Sequence, residues 1–215
     1  MLKKVLNFIA HYINERNIIL GKSSVYISDS SIVEGSFIKG EVTIGQKCTL
    51  KRVHIDGKVS IGDFSFLSGP NIFIHSKIDQ VKIGKFCSIA RNVDIQSHNH
   101  DINKITTSSL MTNFFNGNEH NELVSMGDIS IGNDVWIGAK CTILGGVTIG
   151  NGAVIGANTL VNKDVPAYSI VVGNPMRVVK KRFSDSQILE LDALKWWDKP
   201  IDEIREIYEG FEKSR

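Results

Sequence analysis

Aliphatic side chains recur every six residues along much of this chain. Ile131, Ile137, Ile143, Ile149, Ile155 and Val161 form one unbroken series. Shorter series in other phases run through Tyr26, Ile32, Ile38, Ile44 and Leu50, through Ile61, Leu67 and Phe73, and through Ile83, Ile89 and Ile95. A second signal follows four residues later, where the residue is small or β-branched, as at Val42, Cys48, Ser65, Cys87, Val93, Val135, Cys141, Val147, Ala153, Thr159 and Val165. A period of six fits neither the 3.6 of a helix nor the indefinite alternation of a flat strand. It does fit short extended segments, in which positions an even number apart point the same way, so that both signal positions face inward. Three such segments, each turning a corner after about six residues, close a triangular coil of about 18 residues, and stacked coils pair as parallel strands ~4.8 Å apart. The pattern predicts a parallel β-helix over 25–95 and 128–172, about six coils in all.

Glycine follows the aliphatic residue at Gly45, Gly62, Gly84, Gly132, Gly138, Gly150 and Gly156, where a side chain is expected to hinder a sharp change of chain direction. Cys48, Cys87 and Cys141 all occupy the small inward position, which predicts buried filler rather than nucleophiles. Their odd number and the lack of a CxxC pair argue against a disulfide framework or a zinc knuckle.

Continued past Ile95, the register falls on Asp101, Thr107, Asn113, Glu119 and Ser125, none of which can fill an apolar core. Residues 96–127 are therefore predicted to leave the prism as one long loop, and loops of that length in compact folds are usually functional or disordered. The loop holds His98, His100 and His120, and its Phe114 and Phe115 are expected to rest on a neighbouring surface. Before the repeats, Leu2, Val5, Leu6, Ile9, Tyr12 and Ile13 recur at helical spacing, which predicts a helix within 1–24 covering the open end of the prism. Only Lys3 and Lys4 accompany it, too few to favour a membrane-surface helix. After the β-helix domain at 25–183 comes an extension, 184–215. Its SDSQ sequence caps a helix predicted from about 185 to 197, and a second helix follows Pro200.

Composition adds limits. A chain of 215 residues with 42% hydrophobic content suits one cored domain. The net charge of +2 gives no global field for nucleic acid or an anionic membrane. No apolar run approaches a membrane span and no secretory signal is evident, so a cytoplasmic protein is expected. Charge is nevertheless concentrated at one end: Lys163, Arg177, Lys180, Lys181 and Arg182 could together hold a phosphorylated ligand. Two further features carry chemistry. The run Ser97-His98-Asn99-His100-Asp101 opens the loop with histidine, the side chain best suited to accept a proton near neutral pH. Trp136 directly follows an inward valine, so it points outward, either against another subunit or against a bound molecule.

The hexads, the stretch IGNDVWIGAKCTILGGVTIGNGAVIGANTLVNKDVPAYSIVVGNPMRVVKKRF, the loop's NH pair and RFSDSQILELDALKWWDKPIDEI resemble the hexapeptide-repeat acetyltransferases, in particular the xenobiotic and polysaccharide subgroup. The resemblance implies a left-handed parallel β-helix with a protruding loop and C-terminal helices, a homotrimer with sites between subunits, acetyl-CoA as acyl donor and no metal. It makes His100 the general base, puts Trp136 beside the cofactor, and gives Ala139 backbone contacts near the thioester. Ala157, Asn162 and Lys163 match positions lining the cofactor groove, and Arg177 and Lys180 match basic positions near its phosphates. His98 and Asn99 fall on the acceptor side. The regular early repeats favour a bacterial saccharide as acceptor over a chloramphenicol- or streptogramin-type drug, with amino-sugar N-acetylation a further alternative. Two remoter readings are a γ-class carbonic anhydrase using histidines among His75, His98, His100 and His120, and a non-catalytic scaffold.

Overall fold

The computed structural model describes residues 16–21 and 24–213. The helix expected near the N-terminus lies outside the described residues. The rest forms a three-sided prism of stacked coils, and each side has its own column of inward aliphatic residues in parallel register. On the first face the column is Ile27, Ile44, Ile61, Ile83, Ile131, Ile149 and Val165. The second holds Val33, Leu50, Leu67, Ile89, Ile137, Ile155 and Val171. The third holds Ile19, Ile38, Ile55, Ile74, Ile95, Ile143 and Val161. From Ile38 onward every member is at most 3% exposed, and full burial of such a side chain is worth about 1.5–3 kcal/mol.

Coil length varies, which moves three expected core residues outward. Ile131 pairs with Ile149, 18 residues on, but Ile44 pairs with Ile61 after 17 and Ile61 with Ile83 after 22. Counting in sixes therefore loses phase. Tyr26, Ile32 and Phe73 face outward, while Ile27, Val33, Ile72 and Ile74 point inward. Stacking also starts before residue 25, since Ile18–Leu20 pairs with Phe37–Lys39.

The small inward positions seal the coils to one another. Cys48, Cys87 and Cys141 are buried, and their thiols donate to the carbonyls of Gly62, Gly132 and Gly156 at 3.2, 3.1 and 3.1 Å. Burial pushes the Cys87 thiol up to about 12, so it is no nucleophile at neutral pH. The glycines serve stacking rather than turning. A Cβ on Gly84 would lie 2.5 Å from the carbonyl oxygen of Gly132 in the next coil. The left-handed backbone at that corner falls two residues later, on Phe86 and Asp134.

The long loop leaves after Gln96 and has structure of its own. The Ser97 N–H donates to the His75 carbonyl at 3.1 Å, and His98–His100 pairs antiparallel with Leu123–Ser125. Between these strands lie helix α1 (Leu110–Phe115) and a 3-10 turn, Glu119–Asn121. The chain rejoins the prism at Asp128, whose carboxylate accepts the Gln80 N–H at 2.9 Å. Phe114 and Phe115 are exposed.

At the other end, Arg177–Lys181 turns back antiparallel to Ser169–Val172. Helix α2 (Asp185–Leu194) starts on a Ser184/Gln187 capping box, and α3 (Ile201–Lys213) follows. Rings hold this extension against one corner of the prism: Phe64 stacks on Phe86 at 4.7 Å, Phe86 meets Trp196 at 4.9 Å, and Trp197 is buried. No helix among the described residues is long and apolar enough to cross a membrane.

Candidate active site

The prism offers two different kinds of corner. After the first face, side-chain oxygens of the next coil cap the turn N–H groups: Gln46 N–H donates to Asp63 at 2.7 Å, Lys85 to Asn133 at 2.8 Å, and Asn133 to Asn151 at 2.8 Å. After the second face the corresponding residues include Ala139 and Ala157. They are stacked, with the Asn158 N–H donating to the Ala139 carbonyl at 3.0 Å, and alanine offers no oxygen. Among the described residues no side chain caps the N–H of Ala139 or Ala157, which leaves a track of backbone donors along that edge. Trp136 stands beside it on the outer side of the second face, paired between Ser88 and Val154 and 56% exposed.

The histidines lie at a different corner. The loop departs after the third face, where His98 and His100 share one side of a short strand. His100 is exposed and its backbone pairs with Leu123. His98 is half-buried, and its Nδ1 has no hydrogen-bond partner among the described residues. Burial, with the Lys77 ammonium and His75 close by, pulls the His98 imidazole below its ordinary value. Asn99 faces the opposite side of the strand from both histidines. Asn162 and Lys163 are exposed at this same corner, between Val161 at the end of the third face and Asp164, whose carboxylate caps Thr148 at 2.8 Å. A side of about six residues at ~3.3 Å each spans up to about 20 Å. The loop edge and the alanine edge of a single chain are thus separated by the width of the third face.

The sequence model for Bacterial transferase hexapeptide (six repeats) matches residues 128–163. A chloramphenicol acetyltransferase from Morganella morganii is 41% identical over 140 residues, covering 60% of this chain and 64% of that protein. A protein of Lysinibacillus sphaericus described as a probable macrolide acetyltransferase is 46% identical over 134 residues, covering 59% of this chain and 73% of its own length. The chain belongs to the hexapeptide-repeat acetyltransferases. Its match spans a little under two thirds of the length of the chloramphenicol acetyltransferases. The crystal structure of a mutant of AntD, an N-acyltransferase from Bacillus cereus, in complex with dTDP and coenzyme A, superposes with a TM-score of 0.59 at 21% identity, covering 86% of this chain and 93% of that one. The fold is the left-handed β-helix of hexapeptide repeats.

In this hexapeptide-repeat acetyltransferase the basic end divides in two. Arg177 and Lys180 are exposed on the return strand. Arg182 is drawn inward, donating to Asp134 at 2.9 Å and to the Gly152 carbonyl at 2.7 Å, with its guanidinium against Phe183. Lys181 is paired with Asp185. Of the five basic residues expected to hold a ligand, two are thus occupied in the fold. Among the described residues of the single chain, no group of three His, Cys, Asp or Glu side chains is arranged to hold a metal ion.

A column of rings on the outer side of the third face was not anticipated. Phe37 stacks on His54 at 4.4 Å, and His54 lies 5.5 Å from Phe73 and 5.4 Å from His75. The column leads toward the loop strand that carries His98. Its signal was present in the sequence as the residue just before each inward aliphatic at Ile38, Ile55 and Ile74, but the phase slips hid it.

Proposed function

We propose that the chain is an acetyl-CoA-dependent O-acetyltransferase in which His100 takes the proton of an acceptor hydroxyl as its oxygen attacks the acetyl thioester. The tetrahedral intermediate's oxyanion is stabilised by the Ala139 N–H, then collapses to acetyl ester and thiol, the proton passing from His100 to the departing sulfur. Trp136, Ala157, Asn162, Lys163, Arg177 and Lys180 hold the donor along the groove, and His98 and Asn99 border the acceptor. The donor-side alanine track and the base stand on separate edges of one chain. This separation supports a homotrimer in which one subunit's loop meets the alanine edge of the next.

The acceptor we infer is a hydroxylated drug-like molecule. The observation that carries it is the likeness to a chloramphenicol acetyltransferase at 41% identity and to a probable macrolide acetyltransferase at 46%. The ring column of Phe37, His54 and Phe73 adds a surface suited to an aryl or other flat apolar group. A bacterial saccharide is the second reading, favoured by the regular coils that begin at the first strands; an amino-sugar acceptor would use the same base. The test is thiol release from acetyl-CoA with chloramphenicol, a macrolide, a streptogramin, free saccharides and nucleotide sugars. Turnover with a drug and none with sugars is expected. Sugar-only turnover reverses the acceptor, and no binding of acetyl-CoA by calorimetry overturns the transferase reading.

A further inference from the structure

The loop that carries His100 has almost no core. Ile102, Ile105, Phe114 and Phe115 are exposed, and between residues 98 and 127 the one buried residue is a carboxylate, Glu122, at 7% exposure. Its Oε1 accepts the Met111 N–H at 2.8 Å, and its Oε2 accepts the Thr112 N–H at 2.9 Å and the Thr112 hydroxyl. These two N–H groups belong to the first turn of α1, where orphan donors need a partner. The residue that should cap them, Ser109, makes no side-chain cap. Glu122 therefore serves as a helix cap delivered from across the loop. It also immediately precedes Leu123, the residue that pairs with His100. The Lys77–Glu119 ion pair ties the same turn to the prism, and the Lys104 contact to the Asn121 carbonyl ties it to the segment that follows the outgoing strand. The Thr112 hydroxyl, with the two backbone donors, holds the Glu122 carboxyl below its usual range against the opposing effect of burial, so it is ionised at neutral pH.

We propose that Glu122 is a positioning residue for His100: by fastening α1 to the returning strand, it fixes the register and direction of the strand on which the imidazole is carried. This rests on His100 being the base. A loop without apolar packing has little else to hold a geometry that must be accurate to well under 1 Å, and a displacement of that size can cost about 10²-fold in rate.

The test uses the full chain with Glu122→Gln, which preserves size but sets an amide N–H against a donor. Expected are a tenfold to hundredfold fall in kcat for the acceptor that wild type turns over, an acetyl-CoA Kd within about twofold, and faster amide hydrogen exchange in 108–115 and 122–125. The His100 ring-proton resonance, assigned by its loss in His100→Ala, should move. A second variant separates capping from general disruption. Adding Ser109→Asp to Glu122→Gln supplies a local cap of the preferred type; it should restore slow exchange in 108–115 while kcat and the His100 resonance stay changed, because α1 is still unfastened from the returning strand. An unmoved His100 resonance with wild-type kcat, despite fast exchange in α1, overturns the proposal. So does full recovery of kcat by Ser109→Asp, which would make the capping of α1, and not its link to the strand, the determinant. Full activity in His100→Ala would instead remove the reading beneath it, whatever Glu122 does.

Discussion

Arg182 crosses the seam between prism and C-terminal extension to meet Asp134 at 2.9 Å, with both side chains about 30% exposed. Burial holds the Asp134 carboxyl above its ordinary value, and Arg182 opposes that shift. A carboxylate raised in the folded state binds protons more readily there, so it detracts from stability at pH values above its folded pKa. Arg182→Ala is expected to destabilise the protein by roughly 1–3 kcal/mol, less than for a fully buried pair because solvent screens the site. The deficit should grow as pH rises through the carboxylate range and shrink toward acid, which thermal melts at several pH values would measure.

His100→Ala should lower kcat by about 10²–10⁴ while leaving acetyl-CoA affinity within about twofold. His98→Ala, which touches the half-buried neighbour facing Lys77 and His75, should cost much less. Steady-state kinetics paired with calorimetry would reverse the assignment if the two variants exchanged behaviours.

Trp136 stands exposed beside the alanine track, so Trp136→Ala should weaken acetyl-CoA binding about tenfold without changing the oligomeric state. Light scattering alongside calorimetry decides this. A variant that dissociates would make the indole a subunit contact.

Two glycine substitutions should act in opposite directions. Gly84→Ala places a Cβ 2.5 Å from a backbone oxygen of the next coil and should destabilise by about 1–3 kcal/mol. Gly210→Ala, inside α3 with no other element of the described residues within 4 Å, should stabilise by about 0.5–1 kcal/mol. Chemical denaturation measures both.

The buried thiols should resist labelling. With Cys87 pushed up to about 12 and all three cysteines inside the prism, a thiol-reactive disulfide reagent should modify none of them in native protein and all of them after denaturation.

The prism was readable where coils have equal length. Between Ile131 and Val161 each hexad marks an inward residue, because a constant step of 18 keeps each aliphatic above the last. Before that, unequal coils shift the phase, so that a count in sixes points to Tyr26, Ile32 and Phe73 where Ile72 and Ile74 fill the core and Ile27 and Val33 pack against it. The loop's boundaries were legible because polar residues fell on inward positions. Its ribbon was not, since three-residue strands far apart in a polar segment leave no periodicity. Glu122 was also invisible, because nothing in local sequence marks a glutamate as buried when the donors it satisfies lie ten residues earlier. The candidate site residues could be chosen from motif and position. Their division between two edges of the prism depends on which corner each coil has reached, and that becomes known only once every coil length is.

The reversal at Arg177–Lys181 also bears on how the prism stays finite. A stack of parallel coils ends in unpaired backbone groups, an open invitation for another chain to continue the sheet. On the second face the last strand runs the wrong way for another coil to follow, and it carries Arg177 and Lys180 along the exposed edge. Clustered positive charge on such an edge repels its own kind. Positive charge and a reversed strand thus both work against edge-to-edge growth on this face.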